Sequence, residues 1–391
     1  MLLSIPLSKH VAAPLRSLRI SACTRAFSSS VPRPRRQLIF SGHTTNDDRV
    51  DVFDRSPFYF DTGYAIFAKR PSRPFPPPFL STPSHSFSDP LTTHQAARAR
   101  KPHDDEGHVI AGITNGDDAA IIGGRNFLAV GDGVGAWAQK ERGHAALWSR
   151  LITHHWMEEA EKIYKESPDQ DLEVGQLDMV ACLQRAFEHT KKSTSPSEGN
   201  EILGTTTASG ALLHHDEQGY PSVLCTTLGD SMVYVMRPDR GAGGDAGAEE
   251  GPAGELLYKT TEQWHWFDCP RQLGTNSPDT PDGNAVMDQV SLEEGDVVVV
   301  VSDGVSDNLF ENEIIEKVCG CVKSWEQGAS EANEGMLFVA RELMNAARAI
   351  AQDPNAESPY MEKALDEGIS AFGGKLDDIS VVVGICKRRE S

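Results

Sequence analysis

Hydrophobic positions along this 391-residue chain follow two periodicities. Short apolar runs at 58–68 (FYFDTGYAIFA), 117–122, 125–130, 204–213, 222–229 and 231–236 each predict a strand. Residues 296–301 hold five consecutive valines, the pattern of a strand buried on both faces. Residues 379–385 predict a last strand. Trp148, Ile152, Trp156 and Ala160 recur every four residues and predict a helix with one apolar face. Further helices are expected over 177–192, 311–322 and 333–351. Strands come first, helices are inserted, one strand closes the chain, and no internal repeat is visible. That order favours an α+β or sandwich architecture over regular βαβ winding.

The pattern breaks at three places. Residues 69–106 include seven prolines between Pro71 and Pro90, and proline lacks the donor that a sheet or helix needs, so a long loop is expected. Residues 239–255 (DRGAGGDAGAEEGPAGE) hold no large apolar side chain and predict a mobile surface insert. The start of the chain differs in kind. Residues 1–46 hold seven Lys or Arg, eleven Ser or Thr and no acid, whereas the rest holds 30 basic and 57 acidic residues, a net −27. An Arg-rich, Ser-rich, acid-free start has the composition of an organelle transit peptide. An amphipathic helix is expected over 2–20, and Arg25-Ala26-Phe27-Ser28 resembles a matrix-protease site cut near 27/28. Lys9, Arg16 and Arg19 interrupt any secretory apolar core. The expected destination is the mitochondrial matrix, with one domain over 47–390.

Other classes fall away. No apolar run approaches the ~18–20 residues of a membrane-spanning helix, and a net charge of −20 argues against nucleic acid as the main partner. The seven cysteines are scattered without a CxxC and read as reduced thiols, with Cys319 and Cys321 a possible regulatory pair.

The chemistry sits in five short acidic segments, each at the end of an expected strand. They are Asp117-Asp118, Asp132-Gly133-Val134-Gly135, Gly229-Asp230-Ser231, Ser302-Asp303-Gly304 with Asp307, and Asp377-Asp378. Any one of these reads as an ordinary turn dipeptide. Several converging would repel one another unless a cation neutralised them. All-oxygen ligation suits Mg²⁺ or Mn²⁺. Two such ions, about 3.5–4 Å apart and sharing a carboxylate, would generate a hydroxide and clamp a phosphoryl group.

GDDAAII, LAVGDGVGAW, GTTTAS, TTLGDSMVYVM, VVVVVSDGVSDNL and GGKLDDISVVV together resemble the metal-dependent (type-2C, PPM family) Ser/Thr protein phosphatases. The resemblance runs from Phe58 to Ile385. EQWHWFDCPRQLG (262–274) and DPNAESPY (353–360) narrow it to the mitochondrial branch of fungi and animals. It implies two antiparallel β-sheets packed face to face and flanked by helices, an α-β-β-α sandwich. It implies that Asp132 bridges two metals, that the Gly133 carbonyl holds the second, and that Asp117 contacts that ion through water. Asp303 and Asp377 would complete the first site, and Asp230 and Asp307 would serve a weaker third ion. Asp118, and Asp378 where the family often has Asn, would support these ligands. Implied substrates are phosphoserine or phosphothreonine proteins of the matrix, with a role in coenzyme Q biosynthesis or mitochondrial metabolism; the sequence leaves the oligomeric state open, with a monomer expected.

Two departures stand out. Many relatives place a general-acid His two residues after the bridging Asp, where this chain has Val134. Many also carry a phosphate-gripping Arg before the first acidic pair, but residues 109–116 contain none, leaving Lys69, Arg70, Arg98 and Arg100 as substitutes. These losses support an alternative, a catalytically weak or inactive phosphatase-fold scaffold that binds phosphoproteins. An unrelated Mg²⁺ phosphohydrolase of a small metabolite is a third reading. His154 and His155 read as packing or surface rather than ligands. Trp264, His265 and Trp266 read as core packing ahead of a substrate-contacting rim, and 205–207 as plain strand.

Overall fold

A computed structural model describes residues 39–42, 56–69, 110–114, 116–166, 172, 174–195, 199, 201–216, 218–240, 252–329 and 334–389. The chain divides into units 1–36 and 37–391, and every described residue belongs to the second. The expected leader helix, the 27/28 cut and nearly all of 69–106 lie outside the described residues.

In chain order the strands are β1 (Ile39–Gly42), β2 (Phe58–Phe67), β3 (Ile113–Thr114), β4 (Ala119–Gly123), β5 (Phe127–Gly131), β6 (Thr205–Thr206), β7 (Ala208–His215), β8 (Pro221–Leu228), β9 (Met232–Pro238), β10 (Gly254–Lys259), β11 (Trp264–Trp266), β12 (Cys269–Pro270), β13 (Leu273–Gly274), β14 (Val286–Ser291), β15 (Val297–Val301) and β16 (Ile379–Arg388). Twelve of them form two six-stranded antiparallel sheets, ordered β1-β2-β16-β15-β9-β10 and β14-β8-β7-β5-β4-β3.

Period-two alternation sorts the apolar side chains into three cores. On β15, Val297, Val299 and Val301 pack outward beneath helices Glu311–Glu326 and Met336–Ala351. Val298 and Val300 point the other way, toward Leu128 and Val130 of the second sheet. On β5 the outward residues Phe127 and Ala129 meet helices Ala145–Glu166 and Met179–Thr194. The result is the α-β-β-α sandwich. Trp148, Ile152, Trp156 and Ala160 all lie in that outer core, as their spacing predicts.

Three expectations need correction. The 239–255 insert is shorter, because β10 starts at Gly254, pairs with β9, and has Ala253 packed on the outer core. Cys319 and Cys321 are not poised for regulation: both are buried in the 311–326 helix, and burial pushes their thiols up to about 12 and about 11. The Trp264–Trp266 stretch is not core, since Trp266 is 69% exposed at the end of β11. In addition, β1 lies within the basic 1–46 stretch and pairs with β2 from Ile39↔Phe67 to Gly42↔Tyr64, so the sheet begins ahead of the charge boundary.

Candidate metal centre

Strand register brings the acidic segments together. Ala119 pairs with Gly131, so Asp118, just before β4, and Asp132, just after β5, sit at one end of the second sheet. Val301 pairs with both Val381 and Met232, so Asp303, Asp377-Asp378 and Asp230 share the matching end of the first sheet. Asp307 lies one helical turn after Asp303, and its N–H donates to the Asp303 carbonyl at 2.8 Å. Lys69 follows β2, and the pairing of Phe67 with Ile379 sets it beside Asp377.

Close backbone approach requires glycine at two of these joints. A Cβ on Gly133 would lie 2.2 Å from the Asp117 carbonyl oxygen. Gly116 has a φ of +89°, and a Cβ there would meet the Asp378 carboxylate at 2.4 Å. That gap lets Asp378 accept the Asp117 N–H at 2.8 Å while also accepting the Lys69 N–H at 2.8 Å. Asp118 accepts the Ser380 hydroxyl at 2.8 Å. Asp132 is held through its backbone, its N–H donating to Thr207 Oγ1 at 3.1 Å and its carbonyl accepting the Thr207 N–H at 2.9 Å.

The charges are unevenly compensated. Burial, then Asp303, Asp118 and Asp377, push the Asp132 carboxyl well above the usual range. Burial raises Asp118 and Asp230 in the same way, reinforced by Asp378 and Asp303 respectively. Burial also works against ionisation of Asp303, but the Lys375 ammonium at 2.8 Å outweighs it and holds that carboxyl at about 2. Asp307 is pushed up to about 7 by burial in spite of Lys375, and Asp378 to about 6 by burial in spite of Lys69. Asp377, raised by burial and Asp303, forms an ion pair with Lys69. Asp230 Oδ1 and Asp303 Oδ1 are buried and accept no hydrogen bond. Buried, uncompensated carboxylate oxygens are the donor set that hard divalent cations take.

All nine acidic-site residues named from the sequence thus lie at this centre. Of the four substitutes for the phosphate-gripping Arg, Lys69 is placed there; Arg70, Arg98 and Arg100 lie outside the described residues. Sequence reasoning missed Lys375, Thr207, Trp264 and Asp268. Trp264 donates its indole N–H to Asp230 Oδ2 at 3.1 Å, while Lys375 and Asp268 are ion-paired at 2.8 Å. The available signal for Lys375 was its place two residues before Asp377-Asp378.

No family model matches the chain. "Probable protein phosphatase 2C 1" of Oryza sativa subsp. japonica is 28% identical over 308 residues, 76% of this chain and 75% of that protein. "Protein phosphatase PTC7 homolog" of Xenopus laevis is 26% identical over 294 residues, 72% of this chain and 84% of that protein. The crystal structure of the photosystem II phosphatase PBCP superposes with a TM-score of 0.50 at 25% identity, covering 69% of this chain and 91% of that one. The chain belongs to the type-2C family of metal-dependent Ser/Thr protein phosphatases.

As a type-2C phosphatase, this chain departs from the resemblance at Val134. Its N–H donates to the Thr205 carbonyl at 3.0 Å, and its side chain offers no proton. The 205–207 stretch is also more than plain strand, since Thr207 fixes Asp132 and Thr206 bridges to Gly133.

Proposed function

We propose that this phosphatase acts in the mitochondrial matrix and binds two divalent cations, Mg²⁺ or Mn²⁺, through Asp117, Asp132, Gly133, Asp303 and Asp377. The observation that carries the site is Asp132: half-buried, crowded by Asp303, Asp118 and Asp377, and, among the described residues, in no salt bridge. When bound, such cations supply a nucleophile from water at neutral pH and neutralise phosphoryl charge.

The chain's own residues build the frame around that chemistry. Asp378 ties Lys69 and Asp117 to one carboxylate, and Ser380 fixes Asp118. Thr207 locks the backbone of Asp132 from both sides. Lys69 carries positive charge at the centre's edge and takes the phosphate-gripping role that residues 109–116 leave unfilled. With Val134 in place of a general acid, protonation of the leaving alkoxide falls to solvent, so a lower intrinsic rate is expected.

The matrix assignment rests on the acid-free, Arg- and Ser-rich residues 1–46, with a leader cut near 27/28 ahead of a phosphatase domain whose first strand is β1. Substrates are then matrix phosphoserine or phosphothreonine proteins, with coenzyme Q biosynthesis or mitochondrial metabolism as the process under control. The test is phosphate release from p-nitrophenyl phosphate and a phosphothreonine peptide with Mn²⁺, Mg²⁺ or EDTA, beside Asp132→Asn and Asp303→Asn. Metal-dependent release lost in both variants is expected. Folded, metal-loaded protein releasing nothing from either substrate would favour the scaffold reading. Import into isolated mitochondria, with and without residues 1–27, checks the address.

A further inference from the structure

Lys375 has no counterpart in the roles assigned so far. Its ammonium lies 2.8 Å from each of Asp303 Oδ2, Asp307 Oδ2 and Asp268 Oδ1, and 4.0 Å from Asp377 Oδ2. An ammonium has three N–H donors, and here three carboxylates take them. The position is built rather than incidental. The fully buried Asn308 clamps the Lys375 backbone, accepting its N–H on Oδ1 and donating Nδ2 to its carbonyl, both at 2.9 Å. Tyr360 covers the ammonium at 5.2 Å from its ring centroid. Asp268 reaches it from the β11–β12 turn with a φ of +57°, a conformation few side chains adopt.

The neighbouring acids are answered in the same way. Lys363, fixed by two 2.8 Å contacts to Glu262, lies 3.7 Å from the other oxygen of Asp307. Trp264 supplies the indole N–H to Asp230. So the acids that would gather a third metal already face protein donors, whereas Asp132 and Asp118 form no salt bridge among the described residues, Lys69 acting on Asp132 only at longer range.

We propose that the Lys375 ammonium is a built-in cation of this centre, holding Asp303, Asp307 and Asp268 together in place of a third metal ion and confining divalent-ion binding to the Asp132 side. This rests on the two-ion reading above. Removing the ammonium should open the Asp230–Asp307 side to a divalent ion. A unit charge about 4 Å away acts with about 4 kcal/mol at an effective dielectric of about 20, more than the roughly 1.4 kcal/mol that a tenfold change in affinity requires.

The test counts Mn²⁺ bound to the full chain by calorimetric titration and electron paramagnetic resonance. Wild type is expected to bind two ions, and Lys375→Met one more, at least about tenfold tighter than any third ion on wild type. Adding Asp230→Asn to Lys375→Met should remove the extra ion, and Lys375→Arg should keep the wild-type count. In EDTA, Lys375→Met should melt below wild type, and Mn²⁺ should raise its melting temperature by more. An unchanged count in a folded Lys375→Met protein overturns the proposal. So does a third ion on wild type as tight as the first two, a result that decides even if the variant does not fold. Asp132→Asn is the separate control: full Mn²⁺ binding without Asp132 would sink the two-ion reading itself.

Discussion

Two groups of potential metal ligands lie in different parts of the fold, one at the strand ends and one on the helix that packs on the second sheet, and they differ in what already occupies their lone pairs. At the acidic centre, Oδ1 of Asp230 and Oδ1 of Asp303 accept no hydrogen bond, and Asp132 is crowded by like charge. On the 145–166 helix, His154, His155 and Glu158 place ligand atoms within 4.8 Å of one another, a spacing fit for a metal. Yet the Ala111 N–H donates to His154 Nδ1 at 3.2 Å, which leaves the proton of a neutral ring on Nε2, 3.4 Å from Glu158 Oε2. A nitrogen that carries a proton cannot ligate. Proximity of ligand atoms is therefore a poor guide to a site; unspent lone pairs and uncompensated charge are better ones.

The largest effect that bears on this contrast comes from Asp132→Asn. It should lower kcat by at least about 10²-fold. It should also raise the melting temperature in EDTA, because a buried like charge is gone. A variant that loses activity and stability together would mean that Asp132 is a framework residue instead.

The two regions should also answer acid in opposite directions. His214, near the same helix, accepts from or donates to Tyr164 across 3.1 Å and is held at about 4 by burial. Its folded value lies below the unfolded ~6.5, so the unfolded chain binds more protons between about 6.5 and 4. Stability from this group is present above that window and is lost on acidification through it, by no more than about 3 kcal/mol. Asp307 has the reverse sign. Its folded value of about 7 exceeds the unfolded carboxylate value, so metal-free protein gains stability as pH falls toward about 4. Melts in EDTA at pH 7.5 and 5 should therefore show His214→Gln losing less on acidification, or gaining more, than wild type. Equal slopes would refute the assignment.

A smaller change is expected from Lys69→Met. A charge-assisted hydrogen bond to phosphate is worth about 1.5–3 kcal/mol, so kcat/KM should fall about tenfold or more with Mn²⁺ binding retained. Undiminished kcat/KM would move the phosphate grip elsewhere. Least of all should His154→Ala disturb the chemistry. A cost of about 1–3 kcal/mol in stability is expected from the orphaned Ala111 N–H, with Mn²⁺ count and kcat unchanged. A lost ion in that variant would reverse the comparison.

Much of this was legible before any coordinates. The five valines of β15 and the four-residue spacing of the 145–166 helix specified core elements, because burial on both faces or along one stripe leaves a strong period. The paired acids were legible for a related reason: charges at the ends of apolar strands must meet solvent or a cation. The edge strands β10 and β14 and the helix Pro359–Asp366 were not, since half-exposed elements leave weak patterns. Nor could spacing show that Trp264 faces Asp230 instead of the core.

The sequence by itself determined the family, the sandwich and the set of carboxylates, because those follow from local periodicity and from short motifs at strand ends. Only the tertiary structure decided which charges remain uncompensated. Lys69 is 308 residues from Asp377, and Lys375 is 107 residues from Asp268 and 72 from Asp303. Pairings across such separations depend on strand register and loop packing, and a Coulomb energy depends on distance in space rather than along the chain.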